Sequence, residues 1–126
     1  LSALARRAWL TVGAGVALQL VVTSLPGQDV PLTAGHPWDW LIHAAMYAGL
    51  AFLVARATTL SGWARSTLVA LGVALVAYGA LDELHQLFIP GRDGSASDWA
   101  FDSLGIAVGL LMGSWLMGSK AAKWLR

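Results

Sequence analysis

Between Arg7 and Asp29, Asp39 and Arg56, Arg65 and Asp82, and Asp102 and Lys120, this chain carries no Asp, Glu, Lys or Arg. These four charge-free intervals constrain the fold more than any motif does. An apolar stretch of about 17 to 22 residues, rising about 1.5 Å per residue as a helix, can cross a hydrocarbon core of about 30 Å. The rest of the composition leaves little alternative. Of 126 residues, 57% are hydrophobic and 12% charged, too little polar surface to cover a water-soluble globule of this size. The expected architecture is all-α: a four-helix transmembrane bundle forming a single domain over residues 1–126, with helices over about residues 8–25, 38–56, 66–88 and 98–117. The absence of cysteine excludes a disulfide framework, a thiolate nucleophile and a thiolate metal site. No nucleic-acid-binding module and no phosphate-cradling glycine loop are present.

The breaks between helices follow from turn chemistry. Pro26-Gly27 closes the first apolar run, and the segment up to His36-Pro37-Trp38-Asp39 reads as a loop leading into the second helix, where Pro suits the first turn and Asp the positive end of the dipole. Arg56 to Arg65, with Ser61-Gly62 inside it, is the next loop, and Pro90-Gly91 stops the third helix. Arg6-Arg7 ahead of Ala8–Leu25 also fits a signal peptide. That run is longer than a usual signal core and lacks a good cleavage pattern, so a retained first helix is expected.

Orientation follows from the bases. Arg6, Arg7, Arg56, Arg65, Lys120, Lys123 and Arg126 fall on one side of four alternating spans and only Arg92 on the other, so both termini are expected in the cytoplasm. All seven carboxylates lie on the Arg92 side. Trp9, Trp63 and Trp124 mark the inner interface and Trp38, Trp40 and Trp99 the outer one, as an aromatic belt does.

The stretch Asp82-Glu83-Leu84-His85-Gln86, followed by Pro90-Gly91-Arg92, packs carboxylates, imidazole, amide and guanidinium into the end of a helix that is otherwise apolar from Leu68 to Leu81. Asp82 and Glu83 face the negative end of the helix dipole, where carboxylates need partners, and ionisable residues in a membrane span are functional candidates by default. On the second helix Asp39, His43 and Tyr47 share one stripe, His43 lying about 6 Å deeper than Asp39. On the fourth, Asp98 and Asp102 lead into Gly105, Gly109 and Gly113, a small-residue stripe suited to close helix packing. Counted from the helix ends, His43, Glu83 and Asp102 reach comparable depths of about 6 to 10 Å. Structural roles compete: Asp39 and Asp98 suit helix caps, Ser95 to Asp98 resembles a capping box, and Tyr47 and Tyr78 read as packing residues.

The ordered pattern Asp39-x-x-x-His43-x-x-x-Tyr47, Asp82-Glu83-Leu84-His85-Gln86, Pro90-Gly91-Arg92 and Ser95-x-x-Asp98-x-x-x-Asp102-x-x-Gly105 resembles that of the VanZ-like family of small bacterial membrane proteins, over about residues 37–113. Trp40 stands where that family commonly has Lys, and Asp102 where it commonly has Asn. The resemblance implies a four-helix fold in the bacterial inner membrane and a link with resistance to glycopeptide antibiotics such as teicoplanin. It supplies no reaction.

Three functions are consistent with these residues. The first is a binding protein whose outer polar layer (Asp39, His43, Asp82, Glu83, Gln86, Arg92, Asp98 and Asp102) holds a polar or cationic group of an envelope lipid, a peptidoglycan precursor or the antibiotic. The second is a membrane-embedded enzyme with Glu83 as general acid or base and His43 as proton relay. The third is a structural or partner-binding bundle. The surplus of carboxylates repels a bare phosphate and favours an amine or a divalent cation. Glu83, Asp98 and Asp102 are the candidate metal ligands, their oxygens suiting Mg²⁺ or Ca²⁺.

Overall fold

The computed structural model describes residues 1–29 and 38–124, with side chains through residue 118. His36 and Pro37, and the side chains of Lys120, Lys123, Trp124 and Arg126, lie outside that description. Four helices are present: α1 (Ala3–Ser24), α2 (Asp39–Leu60), α3 (Arg65–Gln86) and α4 (Ala96–Trp124), with one 3₁₀ turn at Gly27–Asp29. All four are long and apolar enough to cross a membrane, and no strand occurs among the described residues. The chain is thus a multi-pass membrane protein surrounded by lipid. Its outward faces agree with this, since Leu10, Leu18, Val69, Val73, Leu104 and Leu111 are all exposed, more apolar surface than a soluble monomer of this size presents.

Local chemistry sets the helix ends. Ser2 Oγ caps α1 by accepting from the Ala5 N–H at 3.1 Å. α2 runs past Arg56 to Leu60, further than the charge at Arg56 suggested. No Gly or Pro interrupts Arg56–Leu60, and Thr58 and Thr59 donate back to the Val54 and Ala55 carbonyls at 2.8 and 2.9 Å, which hides their hydroxyls inside the helix. The turn to α3 is made by Gly62, whose φ of 67° is the left-handed conformation that glycine adopts without steric cost. α3 stops at Gln86 rather than Phe88. The amides of Phe88 and Ile89 already bond as turns to the His85 and Gln86 carbonyls, at 3.0 and 3.1 Å. α4 begins at Ala96 rather than Asp98 because Ser95 is its cap: Ser95 Oγ accepts from the Asp98 N–H at 3.0 Å and donates to Asp98 Oδ2 at 2.7 Å.

The closest packing in the bundle is between α2 and α4. Gly105 and Gly109 lie directly against the Ala44 and Ala48 carbonyls, and Gly113 against Ala55 and Phe52. Alanines on one helix and glycines on the other, both stepping by about one turn, bring the two backbones together without side chains between them. Leu50, Ala51, Val54, Leu75 and Ile106 continue this seam as the apolar core. α1 packs chiefly on α2 through Ala8 and Val12.

The two ends of the bundle differ in chemistry. At one end Trp9 Nε1 donates to Ser61 Oγ at 2.9 Å, and the Trp9 and Trp63 rings meet at 5.0 Å, beside Arg6, Arg7 and Arg65. At the other end, the last turns of α1 and α3, the first turns of α2 and α4 and the α3–α4 loop come together. There the Gly27 N–H donates to the Pro90 carbonyl at 3.0 Å, and Gly27 and Gly91 touch backbone to backbone.

Candidate functional site

The polar end is built around His43. Its position next to Ala44, where the α2–α4 glycine seam begins, brings α4 so close that Asp102 Oδ1 lies 3.1 Å from His43 Nδ1. Glu83, from the last turn of α3, reaches the same nitrogen with Oε1 at 3.4 Å. The other ring nitrogen, Nε2, faces Asp39 Oδ1 at 3.8 Å, one turn back along α2. One imidazole therefore sits among carboxylates from three helices. His43, Glu83 and Asp102 are buried, Asp102 completely. Asp39 and Asp98 are only partly buried and form the mouth of the cluster, within 4.8 Å of His43 and of each other through their ligating atoms.

Glu83 is held from behind. Its Oε2 accepts from the Ser95 backbone N–H at 2.8 Å, and Gln86 Nε2, one turn further along α3, donates to Oε1 at 3.4 Å. Gly94 permits this, because a Cβ there would collide with the Glu83 carbonyl. The cap of α4 and the orientation of Glu83 are thus one construction: the same Ser95 that receives the Asp98 amide on its side chain gives its own amide to Glu83. Near a helix C-terminus, where the dipole disfavours an anion, this amide is a compensating donor.

Asp82 turns away from that group, on the face expected for the residue before Glu83. Its Oδ2 accepts from the Tyr47 hydroxyl at 3.1 Å, and both residues are buried. A small cavity of about 10 Å³, the size of one water molecule, lies beside them and is bordered by Gln19, Thr23, His43, Asp82 and Arg92. Arg92 from the α3–α4 loop thus borders the cluster on the α1 side. His85 is only partly buried and makes no side-chain hydrogen bond at Nδ1 among the described residues.

Of the residues singled out in the sequence, Asp39 and Asp98 group with His43 on one side and Glu83 and Asp102 on the other, with Gln86 supporting Glu83 and Arg92 at the edge. Asp82 stands apart with Tyr47. Gly105, Gly109 and Gly113 all face α2. Sequence reasoning missed three participants. Tyr47 was read as packing, whereas it supplies the partner of Asp82. Gln19 and Thr23 of α1 are buried beside the cavity. Their signal was available: a glutamine and a threonine one turn apart in an otherwise apolar run share one helix face.

Chemically the arrangement offers a buried imidazole that can take or pass a proton between carboxylates, an acidic mouth for a cationic group, and carboxylate and imidazole donors close enough together to hold a cation. The groove between α3 and α4 adds an apolar approach of about 240 Å³, lined by Leu84, Leu87, Trp99, Glu83 and Ser95.

Comparison with known proteins gives one finding. The family model described as VanZ/LLP1 matches residues 9–117, which is most of the chain and reaches from within α1 to within α4. No curated protein and no solved structure matches it.

Proposed function

This chain belongs to the VanZ-like family, and on that premise we propose that it is a bacterial cell-envelope protein whose acidic cluster binds a cationic group of an envelope lipid, a peptidoglycan precursor or a glycopeptide antibiotic, contributing to glycopeptide tolerance. The observation that carries this reading is the gathering of Asp39, Glu83, Asp98 and Asp102 around the single imidazole of His43. A site so rich in carboxylates repels phosphate and attracts an ammonium, which can donate to several carboxylate oxygens at once. The half-buried pair Asp39 and Asp98 gives such a group a way in.

The test is thermal stabilisation of purified protein in detergent, in the presence of EDTA, with teicoplanin, an amine-headgroup phospholipid or a lipid-linked peptidoglycan precursor. At least one is expected to raise the melting temperature saturably, and Asp39→Asn with Asp98→Asn to abolish the rise. No stabilisation by any of the three would sink the binding reading.

A second reading is an acid–base enzyme acting on an envelope lipid, with Glu83 as acid or base and His43 as relay. It is favoured by the fact that Glu83 both approaches His43 at 3.4 Å and lines the open apolar groove. A lipid tail seated along Leu84 and Leu87 would bring its head group to that carboxylate.

The same proposal orients the molecule in the inner membrane. With Arg6, Arg7, Arg56 and Arg65 toward the opposite end, the acidic end faces outward and both termini lie in the cytoplasm. Reporter fusions after Met117 and within Gly91 to Ser97 are expected to give opposite signals. The same signal from both would overturn this orientation.

A further inference from the structure

The deepest three groups of the cluster are arranged in a way that hydrogen bonding alone leaves incomplete. His43 Nδ1 carries at most one proton, yet two carboxylate oxygens approach it, Asp102 Oδ1 at 3.1 Å and Glu83 Oε1 at 3.4 Å. Glu83 Oε1 also accepts from Gln86 Nε2 at 3.4 Å, so the shortfall lies with Asp102. Asp102 is wholly buried, and its second oxygen, Oδ2, accepts from none of the described residues. A carboxylate in that position with a free oxygen is costly unless something else meets it.

We propose that His43, Glu83 and Asp102 form a three-ligand site for a divalent first-row metal ion, Mn²⁺ or Zn²⁺, at the floor of the acidic cluster. The spacing fits. Ligand atoms at about 2.0 to 2.2 Å from one ion, at tetrahedral or octahedral angles, stand about 2.8 to 3.6 Å from each other. Two edges of the triangle, at 3.1 and 3.4 Å, already lie in that range. The third, between Glu83 and Asp102, is within 4.8 Å. The charge fits as well, because a neutral imidazole and two carboxylates carry two negative charges for a divalent ion to balance.

The surroundings have the character of a support for ligands. Metal-bound imidazoles commonly give their second nitrogen to a carboxylate, and the oxygen facing His43 Nε2 is Asp39 Oδ1, at 3.8 Å and beyond hydrogen-bond distance. The non-ligating oxygen of Glu83 is fixed by the Ser95 amide at 2.8 Å. The choice of ion follows from the donors. Oxygen alone would suit Mg²⁺ or Ca²⁺, but one imidazole nitrogen among carboxylates moves the preference to Mn²⁺ or Zn²⁺. Three protein ligands also leave coordination positions open. Binding displaces the proton from Nδ1, so occupancy rises with pH.

This inference concerns the floor of the cluster and does not rest on ligand binding at its mouth, where Asp39 and Asp98 remain. It is tested without lipid or antibiotic. Protein stripped with EDTA and dialysed against Mn²⁺ is expected to retain one ion per chain by elemental analysis, and pulsed electron paramagnetic resonance should show ¹⁴N coupling from one imidazole. Asp102→Asn is expected to weaken Mn²⁺ binding more than about tenfold. Asp29→Asn and Asp93→Asn, exposed acids away from the triangle, should leave it unchanged. Retention well below one ion, no ¹⁴N coupling in the parent protein, or equal losses in the control variants would each overturn the site. Should Asp102→Asn fail to fold, the coupling measured on the parent protein still decides. Stabilisation by a cationic ligand in EDTA can succeed or fail independently of these outcomes.

Discussion

Gly109→Leu is expected to destabilise the bundle by about 3 kcal/mol or more, the upper part of the range for forcing side chains into packed cores. At this position no flexible neighbour can give way. A Cβ on Gly109 meets the Ala48 carbonyl and Cα, so the clash is with backbone on the facing helix and the two helices must separate. Separation would also lift Gly105 from Ala44 and loosen the approach of Asp102 to His43. Gly49→Leu is the control, since nothing lies within 4 Å of a Cβ there. Thermal or denaturant unfolding in a fixed detergent checks both. If Gly109→Leu melts with the parent protein, the glycine stripe faces lipid and the α2–α4 crossing is wrong.

The second large effect is on glycopeptide tolerance. On the binding proposal, neutral replacements of His43, Glu83, Arg92, Asp98 and Asp102 are each expected to reduce tolerance to that of cells lacking the protein. Their stabilities should divide differently. Asp98→Asn and Arg92→Gln change groups at the partly exposed rim and should cost about 1 kcal/mol or less. His43→Ala and Asp102→Ala break a buried charged network and should cost about 3 to 5 kcal/mol, because the remaining partner stays buried and uncompensated. Melting temperature and tolerance measured on the same five variants separate function from architecture. If tolerance falls only in the variants that melt early, the cluster merely fixes helix register, and the bundle is structural.

Much of this geometry could be read from helical arithmetic. The rise per residue put His43, Glu83 and Asp102 at one depth, and the glycine spacing of α4 put Gly105 and Gly109 on one face. These inferences need only a helix and its period. What the sequence hid depends on neighbours. That Tyr47 reaches Asp82 rather than filling space could not be read from the spacing within α2, because the partner lies on another helix, and an aromatic at a core position looks the same in both roles. The extension of α2 through Arg56 was hidden for a related reason. A charge looks like a boundary in a hydropathy trace but does not stop the backbone, and no Gly or Pro lies between Arg56 and Gly62. The opposite correction applies at Phe88, where an apolar residue follows the helix end without belonging to it.

The bond from Gly27 to Pro90 has a consequence for how the molecule is made. The two residues are separated by all of α2 and α3. At about 5 to 20 residues synthesised per second, α1 waits on the order of seconds in the bilayer before its anchor leaves the ribosome. In that interval its contacts are with α2 and α3. The loop that clasps α1 also carries Arg92 and leads into Ser95, whose amide orients Glu83. Translation therefore imposes a sequence of events: α1, α2 and α3 precede the loop that clasps α1, and α4, which brings Asp98 and Asp102 to the acidic end, follows it. A ribosome stalled before Pro90 would hold an inserted chain with neither.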